Sequence, residues 1–353
     1  MSNDNSNYPA DRSGGTQTFD AEAFNKKFNE IMNGENRQPE AQQPSAAAQK
    51  KKKKKHPFRR FLAFLLILVL IVTGTAAAAI IYATSGYKPI ELKDNAYADD
   101  ADLMHAPGVT NILLMGIDTK DTAAKTRSDS MILLSIDTVH RQLKLTSFMR
   151  DMYVAVPGHG NTKLTHACAY EGPQLTVDTI ELNFGIRIDG YCKVGYGLFV
   201  DLVNGIGGIT VPEIDATESR ALAQEGVNIE PGTNIHLNGH EALNYCRIRK
   251  GQSDFQRTER QREAITLIIK QALKTNPVKL VKLAKKLFSK VECSIGKLDF
   301  IALFFKALPC LFGEIGQQQI PAESTWSSAT RDGMSVLLVD TEANKQILKE
   351  FIY

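Results

Sequence analysis

The sequence predicts an α/β protein in which helices flank a central mixed sheet, preceded by one transmembrane helix and a disordered cytoplasmic tail. Three observations carry this prediction. From about Val109 onward, short apolar runs bounded by polar turns alternate with longer helix-like segments, as expected for strands buried on both faces between helices. One uncharged run of 22 residues lies nearer the N-terminus. The residues before it are too poor in apolar side chains to offset the entropy of folding.

These patterns divide the chain into a tail at 1–57, a transmembrane helix at 58–83, a linker at 84–108 and an extracytoplasmic domain at 109–353. As a helix, the 22 uncharged residues extend about 33 Å, which covers the roughly 30 Å hydrocarbon core of a membrane.

The basic run Lys50–Lys55 directly precedes the apolar run. The positive-inside rule therefore places the N-terminus in the cytoplasm and the large C-terminal part outside the cell membrane. Cleavage after the small residues Ala76–Ala79 is the alternative, but the long lead-in and long apolar run favour an uncleaved anchor.

Charge and cysteine usage exclude two classes of function. Of the 42 basic and 39 acidic side chains, 30 and 32 lie beyond Arg60, so the folded part has no basic excess and is not expected to bind nucleic acid. The five cysteines show no CxxC or Cys/His metal spacing. One disulfide is compatible with an extracellular location, and the odd count leaves at least one thiol free.

The periodicity predicts the elements of the folded domain in order, with helices behind Gly172, around Leu198–Val203, and over three later segments. The predicted strands are Thr110–Met115, Met131–Ile136, Leu143–Ser147, Asp151–Val156, Tyr191–Val194, Ile209–Val211 and Val336–Val339. The later helices are predicted over Asn238–Cys246, Phe255–Leu273 and Pro277–Phe288, with a closing helix at the C-terminus.

Charged residues follow or precede the first three strands. Asp118 follows the first, Arg127 and Asp129 precede the second, and Arg150 and Asp151 follow the third. Carboxylates are the ligands that Mg²⁺ prefers, and arginine forks bind phosphate oxygens in pairs. This group predicts a site for a metal-bound, multiply anionic ligand such as a pyrophosphate.

A second basic group lies about a hundred residues later, at Arg247, Arg249 and Arg257. Simpler interpretations stand beside the functional one. An Asp at a strand end is often a turn or cap residue, and a helix rich in alternating charges often has only a solvated, salt-bridged surface. Arg247 and Arg249 cannot share a helix face at this spacing, so they predict an extended exit from the preceding helix.

The combination resembles the LytR-CpsA-Psr family of membrane-anchored glycopolymer transferases. The resemblance covers about Thr110 to Leu273. Its motifs here are NILLMGID (111–118), TRSDSMILLSID (126–137), SFMRD (147–151), KLTHACAY (163–170), LVNGIGGITV (202–211) and LNGHEALNYCRIRKGQSDFQRTERQ (237–261).

The resemblance implies an enzyme that moves a glycan phosphate from a polyprenyl-pyrophosphate carrier to a peptidoglycan hydroxyl, as in attachment of teichoic acids or capsules. It implies Mg²⁺ as cofactor, held by Asp118 and Asp129. Arg150 is the candidate catalytic cation, and Asp129 and Asp151 are the candidates for the base that accepts the proton of the acceptor hydroxyl. The residues implied to contact the pyrophosphate are Arg127, Arg150, Arg247, Arg249, Arg257 and Gln261. The polyprenyl tail is expected in an apolar tunnel whose wall includes Leu198, Phe199, Leu202 and Ile265.

The chain departs from the family pattern at several positions. SFMRD stands in place of SIPRD, Thr165 in place of a common Asn, and Cys246 in place of an Ala. None of these changes removes a charged site residue. Two alternatives remain open: a hydrolase that uses water as acceptor, and a non-catalytic regulatory protein that binds lipid-linked glycans.

Overall fold

The computed structural model describes residues 57–118, 126–249 and 254–353, together with the single positions Glu22 and Lys26. The chain separates into two units, residues 1–60 and 61–353. The predicted disordered tail lies almost entirely outside the described residues. Every strand described below belongs to the second unit.

The strands are short, and most are apolar. They run β1 Val109–Ile117, β2 Ser128–Asp137, β3 Gln142–Phe148, β4 Met152–Val156, β5 Gly160–Lys163, β6 Gly190–Gly195, β7 Ile209–Ile214, β8 Gly232–Leu237, β9 Glu292–Cys293, β10 Ile315–Ile320, β11 Trp326–Arg331 and β12 Met334–Val339.

The helices separate and cover these strands. They are α1 Pro57–Ala83, α2 Leu164–Glu171, α3 Pro173–Phe184, α4 Tyr196–Ile206, α5 Ala216–Gln224, α6 Gly239–Tyr245, α7 Asp254–Lys274, α8 Pro277–Phe288, α9 Lys297–Ala307 and α10 Thr341–Ile352.

A six-stranded mixed sheet with the order β10-β3-β2-β1-β6-β9 forms the centre of the fold. Strands β1, β2 and β3 form antiparallel ladders, while β6 and β10 add parallel to β1 and β3. The predicted central mixed sheet is therefore confirmed. The three strands are apolar enough to be buried on both faces, and Leu113, Leu133 and Leu145 are fully inaccessible.

Two smaller sheets accompany the central one, with the orders β11-β12-β4-β5 and β7-β8. Strands β5, β8, β10 and β11, and the two-residue β9 of the central sheet, were not predicted from the sequence. These strands have little apolar periodicity: β8 reads GTNIHL and β10 reads IGQQQI. Their backbone pairing, and not side-chain burial, defines them. Helix α2 was also missed, since its eight residues lack a clear apolar face.

Helices α3 and α10 pack on one part of the core, where Phe184, Leu348 and Ile352 are buried against the central strands. A second apolar cluster is built on β7, α4 and α6 and includes Val203, Val211 and Ala242. Helix α7 contributes Ala264 to this second cluster. The flanking helices of the prediction are thus present, and they leave one edge of the central sheet open beside α4 and α7.

Helix α1 coincides with the predicted membrane span. Among the side chains that the structure describes, no helix has the length and apolarity needed to cross a membrane. The side chains of residues 57–65, 68 and 69 lie outside those described. The span remains a prediction from the sequence.

The segment after α1, predicted as a polar linker, contributes to the folded core. Tyr87 is 1% exposed and lies between the rings of Phe288 and Phe300. Its hydroxyl donates to the backbone oxygens of Cys293 and Ile295, at 2.7 and 2.8 Å. This contact fixes the segment against α8, β9 and α9.

One disulfide joins Cys192 in β6 to Cys293 in β9. Cys168, Cys246 and Cys310 are free and buried. The single bridge and the leftover thiols agree with the count made from the sequence, which left the pairing open.

Candidate active site

The ladder of β1, β2 and β3 brings the predicted acidic and basic residues to one edge of the sheet. Ile117 at the end of β1 pairs with Ser128 at the start of β2. Asp118 and Asp129, one residue beyond each partner, therefore come to the same edge although the chain between them is long. On the other side of β2, Met131 pairs with Phe148. Arg150, two residues past Phe148, reaches the same edge.

A cavity of about 570 Å³, here the large cavity, opens at this edge. Its polar end is lined by Asp118, Asp129, Arg150, Arg247, Arg249, Arg257 and Gln261. All but one of the residues that the sequence assigned to the metal and the pyrophosphate therefore meet here. The exception is Arg127.

The rest of the large cavity is apolar and lies between the sheet and helices α4 and α7. Its walls include Leu114, Ile132, Phe199, Leu202, Ile265, Ile268 and Ile269. Three of the four residues expected to line a tunnel are among them. Leu198 is not among the lining residues.

A smaller polar cavity of about 450 Å³, here the small cavity, adjoins the first. Its lining comprises Arg127, Asp129, Arg150, Asp151, Lys163, Thr165, His166, Arg249 and Met334. Asp129, Arg150 and Arg249 line both cavities. Arg127 and Asp151, predicted for a single site, thus lie on the side away from the apolar walls.

Arg150 is the centre of the charge network. Its Nη1 donates to Asp129 Oδ1 at 2.5 Å, while its Nε lies 3.6 Å from Asp151 Oδ2 and 3.5 Å from Asp254 Oδ2. Burial alone would lower the pKa of Arg150, but these three carboxylates raise it above its ordinary value. The guanidinium is therefore a permanent positive charge at the junction of the two cavities.

Arg257 approaches from helix α7 and is 5% exposed. Its Nη2 donates to the backbone oxygen of Asp129 at 3.1 Å and to Asp254 Oδ2 at 2.9 Å. Burial lowers the pKa of Arg257, and Asp254 opposes that shift. Among the described atoms, the buried Arg257 Nε and Asp254 Oδ1 have no hydrogen-bond partner. The site thus has hydrogen-bonding capacity that the protein alone does not satisfy.

Asp254 was not predicted as a site residue. It begins α7 and lies between Arg150 and Arg257, where its carboxylate offsets two positive charges. The sequence offered one weak signal, its position three residues before Arg257 at the start of a helix. Its contact with Arg150, about a hundred residues away, depends on the tertiary fold.

The loop that carries Arg247 and Arg249 is held by a buried arginine. Arg260 is 5% exposed, and it donates to the backbone oxygens of Tyr245, at 3.1 Å, and Ile248. The simpler alternative for the charges of α7, a solvated and salt-bridged helix surface, does not hold for Arg260. Helix α6 ends at Tyr245, and both arginines lie beyond it. Arg247 is in the turn that follows, where its backbone N–H donates to Asn244 O at 2.9 Å, so the predicted extended exit does not begin at Arg247.

Tyr196, at the start of α4, connects the two sides of the large cavity. The guanidinium carbon of Arg247 lies 4.7 Å from the centre of its ring. Burial raises the pKa of Tyr196 to about 12, Arg247 opposes that shift, and Asp118, Asp129 and a hydrogen bond with Asp118 add to it. The phenol therefore stays protonated and donates toward the Asp118 carboxylate.

The start of helix α2 is bonded to the same sheet edge. Thr165 donates from its backbone to Arg150 O at 3.1 Å and from its hydroxyl to Ser128 O at 2.8 Å. Lys163, one residue before α2, bonds Asp151 at 2.7 Å. Lys163 begins the KLTHACAY motif and was given no role from the sequence, although it adds a cation to the small cavity.

Asp118 and Asp129 form a pair of oxygen donors that could hold Mg²⁺. Asp118 and Asp129 supply hard oxygen ligands at the mouth of the large cavity. Over the described part of the chain, no group of three or more His, Cys, Asp or Glu side chains is placed to hold a metal ion. Two protein carboxylates fit Mg²⁺, which usually takes one or two from the protein and completes its shell with phosphate oxygens and water.

The thiol beside the site is chemically inert. Cys246 lines the large cavity, and burial raises the pKa of its thiol to about 12. The thiolate is the nucleophilic form of cysteine. Burial therefore favours the protonated thiol of Cys246.

Comparison with known proteins places this architecture in a family. The LytR_cpsA_psr family model matches residues 69–352. The polyisoprenyl-teichoic acid–peptidoglycan teichoic acid transferase TagU of Enterococcus faecalis is 32% identical over 248 residues, which cover 68% of this chain and 78% of that protein.

Two solved structures share the fold. TagT bound to LI-WTA matches with a TM-score of 0.62 and 26% identity, over 74% of this chain and 97% of that chain. YwtF (TagT) with bound octaprenyl pyrophosphate lipid matches with a TM-score of 0.59 and 25% identity, over 74% and 99%. The chain therefore belongs to the LytR-CpsA-Psr family.

Proposed function

We propose that this protein is a phosphotransferase that moves a glycan phosphate from a polyprenyl-pyrophosphate carrier to a hydroxyl of peptidoglycan. One observation carries the proposal: a single cavity joins an arginine-lined polar end to a long apolar end. A lipid pyrophosphate has this same division between a diphosphate and a hydrocarbon tail. The related TagU is named for such a transfer, and the related TagT structure binds octaprenyl pyrophosphate.

The charges around the two cavities suit a diphosphate. Six cationic side chains and five carboxylates lie around the two cavities, so the described part of the site has a small excess of positive charge. The cations are Arg127, Arg150, Lys163, Arg247, Arg249 and Arg257, and the carboxylates are Asp118, Asp129, Asp151, Glu225 and Asp254. Because guanidinium groups pair with phosphate oxygens in fixed forks, they orient the ligand as well as bind it.

The arrangement divides the reaction between the cavities. The polyprenyl tail occupies the apolar end of the large cavity, and the diphosphate lies across Arg150 and Arg249, which line both cavities. The acceptor hydroxyl enters through the small cavity. Its oxygen bonds to the glycan-side phosphorus, while the bond from that phosphorus to the oxygen of polyprenyl phosphate breaks. Asp151 or Asp129 accepts the hydroxyl proton, and the arginines balance the negative charge that develops.

Mg²⁺ is proposed as the cofactor. Asp118 and Asp129 would hold it, and Tyr196 would keep Asp118 oriented. When bound, it would supply positive charge to the pyrophosphate oxygens.

A membrane location completes the proposal. The apolar run at 61–82 is proposed to anchor the chain in the cell membrane by a single span, with the N-terminus cytoplasmic and residues 109–353 outside. This location gives the site access to both a membrane-borne donor and peptidoglycan.

The proposal is tested with Arg150→Ala in the full chain, assayed for glycan transfer from a lipid-pyrophosphate donor. Loss of the central cation is expected to lower turnover by roughly 100-fold or more, as for other preorganised charge-stabilising groups. Arg331→Ala, which removes an exposed arginine on β11, is the matched control. Near-normal turnover in the Arg150 variant would refute the site assignment.

A further inference from the structure

Residues 264–291 contain seven lysines and no acidic residue. Four of these lysines lie on helix α8, which has the sequence PVKLVKLAKKLF. We call Lys279, Lys282, Lys285 and Lys286 the lysine face. Nothing in the proposed transfer uses it, and it lies outside both cavities.

The opposite side of α8 packs against the protein interior. Leu280 and Leu283 pack against the apolar cluster built on β7, α4 and α6. At the end of the helix, the Phe288 ring lies 5.5 Å from that of Tyr87. These contacts fix the rotation of α8, so that its lysines lie on the side away from the apolar cluster. Lys279 and Lys282 are exposed, and Lys286 pairs with Asp201 at 2.9 Å.

The chain geometry places this face next to the end of the apolar run. Lys285 Nζ lies 3.9 Å from the centre of the Tyr82 ring, and Tyr82 is the last residue of that run. Tyr87, fixed between α8 and α9, follows only five residues later. Five residues span at most about 18 Å. If residues 61–82 cross the membrane, α8 must lie close to its outer surface.

We infer that the lysine face of α8 binds the anionic phospholipid headgroups on the extracytoplasmic surface of the cell membrane. The inference rests on the membrane anchor in the proposed function. Charge complementarity supports it, because clustered lysines beside a span are attracted to anionic lipids.

Docking of α8 on the bilayer would also place the large cavity where the donor lipid can enter it from the membrane. Helix α8 packs on α4, and the Gly205 backbone in α4 approaches Leu283 so closely that a Cβ would lie 2.3 Å from it. Phe199 and Leu202 on α4 line the apolar end of the large cavity. Headgroup contact at the lysine face therefore holds the apolar wall of the cavity beside the bilayer, where a polyprenyl tail enters.

The test uses the full chain in nanodiscs of phosphatidylcholine alone or mixed with phosphatidylglycerol. Lysine acylation rates are read by mass spectrometry. Lys279 and Lys282 are expected to react about threefold or more slowly in the anionic discs, and high salt should remove the difference. Lys349, exposed on α10, is the internal control and should react equally in both. Equal rates for Lys279 and Lys282 in both discs would overturn the inference.

A triple variant, Lys279→Gln with Lys282→Gln and Lys285→Gln, separates this inference from the proposed function. It should transfer glycan normally from a short-chain donor in detergent, and more slowly than wild type from a full-length donor in anionic discs. The matched control is Lys345→Gln with Lys349→Gln. Wild-type transfer with no defect of the triple variant in discs would overturn the headgroup contact and leave the proposed function standing. Absence of wild-type transfer in both media, with the α8 lysines still protected, would refute only the function.

Discussion

At the residue scale, the site is a set of arginines whose guanidinium groups are positioned by ion pairs with neighbouring carboxylates. Arg150 contacts three of them, and Arg257 shares Asp254 with it. Without ligand, the carboxylates keep neighbouring guanidinium groups from repelling each other. A bound diphosphate can also offset the repulsion between these guanidinium groups, since its negatively charged oxygens bind to them.

Asp254→Asn tests this balance. The substitution removes the charge between Arg150 and Arg257, so the unliganded protein should melt at a lower temperature. Inorganic pyrophosphate should then stabilise the variant by more than it stabilises wild type, because no carboxylate competes for the arginines. Thermal melting in detergent with and without pyrophosphate measures both effects.

Glu342→Gln, an exposed acid on α10, is the control and should leave both melting temperatures unchanged. An equal pyrophosphate-induced shift in wild type and the Asp254 variant would show that Asp254 is structural only.

Much of the site at this scale could be predicted. Asp118, Asp129 and Arg150 lie at the ends of three apolar runs, and the antiparallel ladder necessarily brings them to one edge. Asp254, Tyr196 and Arg260 could not be assigned, because each acts through a partner that only the tertiary fold brings near. Arg260 was misjudged for the same reason: its charge looks like a solvated helix position until two backbone carbonyls meet it.

At the element scale, the β2–β3 ladder contains a buried ion pair. Asp137 is fully buried and accepts from Lys144 Nζ at 2.9 Å, and Lys144 also donates to Ile352 O at 3.0 Å in α10. Burial alone would raise the pKa of Asp137, but bonds from the His140 backbone, Lys144 and the His140 ring lower it to about 2.

Lys144→Met should therefore lower the free energy of unfolding by about 3 kcal/mol or more at neutral pH, since it leaves a buried carboxylate without its main partner. A depressed carboxyl pKa stabilises the folded state above the unfolded value near 4, and this contribution is lost as the pH falls toward 2. The difference in the free energy of unfolding between wild type and the Lys144→Met variant should thus become smaller as the pH falls from 4 to 2. Denaturation at pH 7, 4 and 3 measures it.

Lys349→Met, at an exposed position of α10, is the control for this series. A difference that stays constant across the pH range would contradict the assigned role of Asp137.

The disulfide makes a second prediction at this scale. It closes 101 residues between β6 and β9, and bridges of this kind typically contribute about 2–4 kcal/mol. Replacing Cys192 and Cys293 with Ser should lower the melting temperature, and a reductant should lower that of wild type but not of the double variant. Titration of the denatured, unreduced chain should find three thiols. Five thiols would contradict the bridge.

Helices and strands were predicted correctly where the burial of one face gives the sequence an apolar periodicity. They were missed where an element depends only on backbone hydrogen bonds to a neighbouring strand. Pro277–Phe288 has the predicted bounds because its apolar and basic faces alternate with helical period. Strands such as β8 and β10 are partly exposed and polar, so their hydrogen bonds to β7 and β3 carry no sequence signal.

At the scale of the whole molecule, the fold places a cluster of arginines and carboxylates between the apolar end of the large cavity and the small cavity. The segment after the apolar run packs into the domain through Tyr87, so the domain and the end of that run are closely linked. This connection was not predicted, because the apolar residues of the segment, such as Tyr87, Leu92 and Leu103, are spaced with neither helical nor strand period. A site so placed suits a substrate with one end in a membrane and the other in the cell wall.

The most direct test identifies the product. The full chain in nanodiscs is supplied with a lipid-pyrophosphate-linked glycan and peptidoglycan, and the glycan products are analysed by mass spectrometry. The account predicts a phosphodiester that joins glycan to peptidoglycan, formed together with an equal amount of polyprenyl phosphate. Free glycan phosphate as the main product would instead indicate a hydrolase, and an unchanged donor would indicate a protein that only binds it. Either result would contradict the proposed transfer.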